Sequence, residues 1–208
     1  MHNVCLLSGK RCGSTVTQEI AHYVLYKEDG IIQKHHNDIS LNQNQRAIVN
    51  VRNPIDQFLS LYRVFKIDKN KIDHIDENSL SQFLKNPELD ALRVNINLYN
   101  KYKNNDNVVL IKYEDYLDKG SYTDLVNRLC EFFDVEASIQ DRWYIENRFN
   151  KKSMKEKTDS IGTFSKHKDY YHGNHIGEKN LNYKSLFSRE ALVIFHKYIN
   201  PYMEVYNA

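Results

Sequence analysis

Short apolar runs alternate along this chain with longer stretches in which apolar residues recur every three or four positions, the pattern of strands alternating with helices. Asn3 to Leu7 is an apolar run ending in Ser8-Gly9, which predicts a buried strand entering a tight turn. Val16, Ile20, Val24 and Leu25 predict a helix from Ser14 to Tyr26. A second short strand is expected over Gly30 to Lys34, a third over Arg46 to Val51, and the clearest over Val108 to Lys112, which reads VVLIK. Pro54 opens a helix whose core face is Ile55, Phe58, Leu59 and Tyr62. Helical spacing returns over 79–104, 122–134 and 138–149, and again from Ser188 to about Tyr206, where Pro201 predicts an interruption.

Two segments break the rhythm. Lys66 to Glu77 is polar and charged and reads as an exposed excursion. Lys151 to Lys184 is polar, punctuated by glycine and rich in Lys, His and Tyr. It is too long for an idle connector in a compact domain, so a functional loop is expected there. The alternation implies one domain over 1–208, a three-layer α/β/α arrangement with a mostly parallel central sheet. Ligands of such sheets bind outside the carboxyl ends of the strands, so functional residues should follow strands directly.

Composition narrows the partners. A net charge of +2 over 208 residues argues against nucleic acid, and any basic patch must be local, which suits a small anionic ligand. There is no run of eighteen apolar residues and no basic segment leading an apolar stretch at the N-terminus, so no membrane partner is expected. Cys5, Cys12 and Cys130 are odd in number and read as free thiols of a cytoplasmic protein. No Cys/His cluster has zinc spacing, and no metal is expected.

Two constellations carry candidate chemistry. The first is the loop Ser8-Gly9-Lys10-Arg11-Cys12-Gly13-Ser14-Thr15, between the first strand and the first helix. Its glycines permit tight geometry, its end is a helix N-terminus with unpaired N–H groups, and Lys10 and Arg11 add two full charges. A P-loop kinase or nucleotidase needs Gly-Lys-Ser/Thr here, but Gly13 is followed directly by Ser14. The second is Arg52-Asn53-Pro54-Ile55-Asp56, with Ser60 off the apolar arc of the helix. Asn53 is a good N-cap and Asp56 can close a capping box. Arg52 and Ser60 lie about two turns apart on a similar side and can converge on one phosphate.

An arginine at a strand end, Asn-Pro-x-Asp, and a serine eight positions after the arginine resemble the 3′-phosphate motif of the sulfotransferase family. Arg11-Cys12-Gly13-Ser14-Thr15 is similar to that family's 5′-phosphosulfate loop. Lys112-Tyr113-Glu114-Asp115-Tyr116-Leu117 is similar to its Tyr-Glu-Asp-Leu segment. The resemblance implies a P-loop-NTPase-like sulfotransferase fold that uses 3′-phosphoadenosine 5′-phosphosulfate (PAPS, leaving PAP) without a metal. The acceptor is then a hydroxyl or amine on a small molecule or carbohydrate. It places Arg11, with Lys10 adjacent, on the bridging and 5′-phosphate oxygens, and Cys12, Gly13, Ser14 and Thr15 in the loop that holds the 5′-phosphate. Arg52 and Ser60 fall on the 3′-phosphate, with Tyr113 nearby. Lys34-His35-His36 stands where the family has Lys-Thr-His, which makes His36 the general base and gives Lys34 and Arg11 the charge on the departing phosphate. Val16 replaces a base-stacking tryptophan, leaving Phe149 or Trp143 to pack the adenine. The stretch His172 to Lys179 echoes a C-terminal glycine-rich motif, with His175, Gly177 or Lys179 near the 3′-phosphate. The competing readings are a P-loop-like nucleotide kinase and a non-catalytic nucleotide-binding relative.

Overall fold

The computed structural model describes residues 4–27, 31–42, 45–65, 74–116, 122–150, 152–156 and 183–208. Four strands, β1 (Cys5–Ser8), β2 (Gln33–His35), β3 (Ala47–Val51) and β4 (Val108–Lys112), form one parallel sheet in the order β2-β1-β3-β4. The apolar runs lack polar alternation because both faces of the sheet are covered. Val4, Leu6, Ile48, Val109 and Ile111 enter the core on one face. Cys5, Leu7, Val49, Val51 and Val108 enter the core on the other.

Helix α1 (Ser14–Tyr26) follows β1, and α2 (Pro54–Phe65), α3 (Glu77–Phe83) and α4 (Asp90–Tyr102) separate β3 from β4. After β4 come α5 (Tyr113–Tyr116), α6 (Thr123–Phe133), α7 (Ile139–Phe149), the helical residues 152–156 (α8), α9 (Tyr183–Leu186) and α10 (Arg189–Asn207). Helices α1, α6 and α7 cover the first face. Helix α4 and the end of α10 cover the second. A separate apolar cluster joins α2 and α3 to α10 through Phe58, Tyr62, Phe83 and Phe195. The expected three-layer α/β/α arrangement with a parallel sheet is the one observed. No helix among the described residues is long and apolar enough to cross a membrane.

Several boundaries differ from the sequence expectation. Strand β2 begins at Gln33, not Gly30, because Ile31 is exposed and only Gln33 to His35 pair with β1. The helical pattern over 79–104 is two helices with a tight turn between them. Asp76 caps α3, and Asn86 caps a 3-10 turn that Pro87, having no N–H, opens. Part of the supposed excursion is core: Ile75 is fully buried and bridges Phe187, its N–H donating to the Leu186 carbonyl at 2.6 Å. Pro201 does not interrupt α10, which runs through it. Pro201 is exposed, while Ile199 and Tyr206 on either side are buried, so packing holds the helix across the one missing hydrogen bond.

Candidate functional site

The strand order decides where the two constellations meet. Ser8 at the end of β1 is in register with Asn50 of β3, so the loop after β1 and the turn after β3 leave the same sheet edge side by side. Gly9 makes the close approach possible: a Cβ there would stand 2.8 Å from the Ala91 carbonyl oxygen and 3.0 Å from Gln57 Nε2.

Three fully buried amide side chains hold the loops. Asn50 Nδ2 donates to the Cys12 carbonyl at 2.9 Å. Gln57 Nε2 donates to the Lys10 carbonyl at 2.8 Å and the Ala91 carbonyl at 3.1 Å. Asn95 grips Arg52 at both ends of its backbone, donating to its carbonyl at 2.7 Å and accepting its N–H at 3.1 Å. Buried polar backbone without such partners is expensive. Asn95→Ala is accordingly expected to destabilise the protein by about 1–3 kcal/mol, read as a lower urea midpoint with an unchanged slope.

Arg52, Arg11, Ser60 and Tyr113 converge. Arg52 Nη1 donates to the Arg11 carbonyl at 3.0 Å, and its guanidinium lies over the Tyr113 ring, 4.2 Å from the centroid. Arg11 Nε donates to Ser60 Oγ at 3.0 Å. Among the described residues, Arg52 Nε is buried and has no hydrogen-bond partner. Arg11 takes a left-handed backbone (φ 70°), which costs a non-glycine residue roughly 1–2 kcal/mol. The bonds from Arg52 and to Ser60 hold it there. The Arg11 side chain, expected at a 5′-phosphate, bonds to Ser60 beside Arg52, so the two cationic groups are contiguous. Burial, and then repulsion from Arg52, pull the Arg11 guanidinium down to about 10.

Glu114 anchors this corner. Its Oε1 accepts the Asn53 N–H at 2.7 Å, and its Oε2 accepts the Tyr206 hydroxyl at 2.8 Å. Glu114, rather than Asp56, is therefore the carboxylate on the N-cap amide of α2. Asn53 itself caps as expected, its Oδ1 accepting from the Ile55 N–H at 2.9 Å. Burial raises the Glu114 carboxyl, with the Asn53 N–H the largest opposing influence.

The neighbouring end of α1 is bare of negative charge. Its N-cap is Gly13 (φ 80°), with no side-chain cap and no acidic residue in the first turn. Free N–H groups and a positive helix end therefore face the sheet edge with Ser14 and Thr15. Lys34, on β2, donates to Thr15 Oγ1 at 3.2 Å. His36 follows β2 directly and lies beside the Ser8 backbone, Lys34 and Lys10. Partial burial and then Lys34 push its pKa below the ordinary 6.5. Lys10 is the more exposed of the loop's two cations and pairs with Glu88 at 2.8 Å. The Cys12 side chain is fully buried and its thiol is pushed up to about 12 by burial, so only its backbone is available to a ligand.

Among the adenine candidates, Phe149 is buried in the core and presents no open ring face, whereas Trp143 is 69% exposed on α7. His175, Gly177 and Lys179 lie outside the described residues. Sequence reasoning named Glu114 only within its motif, with no role, and passed over Asn95 and Gln57. Asn95 did carry a signal, being a polar residue one turn from Leu92 and Tyr99 on the buried face of α4.

The family model described as "Sulfotransferase domain" matches residues 28–206, and the chain belongs to that family. The matched span includes Arg52, Ser60 and Tyr113 and begins after the loop at 8–15. The fold is similar to that of mouse sulfotransferase SULT7A1 complexed with PAP, at 16% identity and a TM-score of 0.67, covering 97% of this chain and 84% of that one. It is also similar to retinol dehydratase in complex with androsterone and inactive cofactor PAP, at 13% identity and a TM-score of 0.63, covering 98% and 81%. A search of curated protein sequences finds no match.

Proposed function

We propose that this protein transfers the sulfonate group of 3′-phosphoadenosine 5′-phosphosulfate to a hydroxyl or amine of a small-molecule or carbohydrate acceptor. The observation that carries the reading is the adjacency of two anion sites of different kind on one sheet edge. One is the uncapped N-terminus of α1 with Ser14, Thr15 and Lys34. The other is the arginine cluster with Ser60, where Arg52 Nε is buried without a partner among the described residues. A nucleotide with phosphate at both its 5′ and 3′ positions fits that pair, and the PAP in both structural neighbours supports the choice. The androsterone in one neighbour supports a small-molecule acceptor.

The bound donor supplies an activated sulfonate whose leaving group is a phosphate oxygen. Arg52, Ser60 and Arg11 bind its 3′-phosphate, and the Gly13-Ser14-Thr15 backbone binds the 5′-phosphate. Lys34, next to Thr15, offsets charge that develops on the departing oxygen. His36, held neutral at pH 7 by its lowered pKa, accepts the acceptor's proton as its oxygen or nitrogen attacks sulfur. Positioning and charge neutralisation do most of the work.

Calorimetric titration with PAP, and with ATP plus magnesium, separates this reading from a kinase. PAP is expected to bind in the micromolar range and ATP far more weakly; the reverse order overturns the reading. Incubation with PAPS and an acceptor mixture should then give products carrying a sulfonate by mass spectrometry, where a non-catalytic relative yields none.

A further inference from the structure

The peptide between Arg52 and Asn53 is held at both of its polar ends. Its carbonyl accepts from Asn95 Nδ2 at 2.7 Å, and its N–H donates to Glu114 Oε1 at 2.7 Å. Two consecutive residues of α5 therefore address Arg52. The Tyr113 ring lies against its guanidinium, 4.2 Å from the ring centroid, and Glu114 fixes the peptide that leaves it. Two hydrogen bonds fix the plane of a carboxylate, whereas one leaves it free to turn about a broad terminal torsion. The second bond on Glu114 comes from far along the chain: Tyr206, near the end of α10, donates its hydroxyl to Glu114 Oε2 at 2.8 Å. Tyr206 is itself fixed. It is buried, its ring centroid stands 5.3 Å from that of Tyr99, and Lys112 Nζ lies over the two rings at 4.7 and 4.9 Å. Tyr99 is one turn from Asn95 on α4, so the helix that holds the Arg52 carbonyl also backs the tyrosine that holds Glu114.

Resting on the PAPS reading above, we infer that Tyr206 is a positioning residue of the nucleotide site: through Glu114 it orients Arg52 toward the 3′-phosphate of the donor. The hydroxyl is the part that does this. The ring's contacts with Tyr99 and Lys112 would be made equally by phenylalanine, so packing accounts for an aromatic residue at 206 and not for a tyrosine. A buried phenol needs a hydrogen-bond partner, and this one meets the carboxylate on the first amide after Arg52. Without that bond Glu114 can turn away from Asn53 while the Asn95 bond stays, and Arg52 keeps its charge but loses its fixed direction. Arginine is sensitive to such a loss because its planar fork of donors must be aimed at the phosphate oxygens. A lysine ammonium in the same place binds as a point charge.

The test compares PAP with adenosine 5′-monophosphate, which lacks only the 3′-phosphate, by calorimetry on the wild type and Tyr206→Phe, and repeats the PAP titration with both made in Arg52→Lys. Tyr206→Phe is expected to weaken PAP binding roughly 3- to 10-fold and to leave 5′-monophosphate binding within about twofold of wild type. In the Arg52→Lys background the same substitution should change PAP affinity by less than about twofold, since an ammonium needs no aiming. A purely structural role for Tyr206 gives either equal losses for both nucleotides or no loss at all, and each overturns the inference. A PAP loss that persists undiminished in Arg52→Lys overturns it too, because Tyr206 would then act elsewhere than on Arg52. A wild type that binds no PAP overturns the PAPS reading itself and this inference with it, a result distinct from those of the variants.

Discussion

Replacing His36 with alanine is expected to lower kcat by about 10²–10⁴-fold while leaving PAP affinity within about twofold of wild type. In the proposed reaction His36 acts on the acceptor's proton, not on the nucleotide, so the loss belongs in kcat. The pH profile provides a second readout. Burial and the neighbouring Lys34 depress the His36 pKa below 6.5, so the neutral imidazole predominates at and above neutrality. Activity should therefore be flat above pH 7 and fall as pH drops through a pKa under 6.5, with one proton taken up. That acid limb should vanish in His36→Ala. A variant that keeps wild-type kcat and the same limb would remove His36 from the reaction.

Arg52→Ala is expected to be the most damaging change to donor binding, weakening PAP by about 2–5 kcal/mol, or roughly 30-fold to several thousand-fold. Arg52 occupies three roles at once. It stacks on Tyr113 at 4.2 Å, it holds the Arg11 carbonyl at 3.0 Å, and its buried Nε awaits an acceptor. Removing it frees Arg11 from its left-handed backbone as well as deleting the proposed phosphate contact. Arg52→Lys keeps the charge but not the planar stack or the fork of donors, and should recover only part of the affinity. Isothermal titration with PAP measures both variants. PAP binding indifferent to Arg52→Ala would mean that the nucleotide does not lie in this cradle.

Much of the fold was legible because its signals are local. A strand buried on both faces must be apolar throughout, and VVLIK at 108–112 is such a run. The start of α2 was readable from Asn53-Pro54, a cap followed by a residue suited to the first turn. Pro201 misled because local propensity opposes a helix there, while burial of Ile199 and Tyr206 on the far side outweighs it. Ile75 misled in the opposite sense: polar neighbours suggested exposure, and a distant partner, Phe187, buried it.

The same division runs through the site. The chemistry available to it was present in the chain: a glycine-punctuated loop before a helix, an arginine and serine eight positions apart, a histidine after a strand. Motif order and spacing encode these because each depends on a few consecutive residues and the turn they make. The direction in which Arg11 points and the carboxylate that caps Asn53 were settled only by folding. They depend on β1 and β3 lying in register and on Asn95 and Gln57, from elements distant in sequence, pinning the two loops together. Contacts between side chains on separate elements follow from where the backbone carries them, and linear spacing contains no record of that distance.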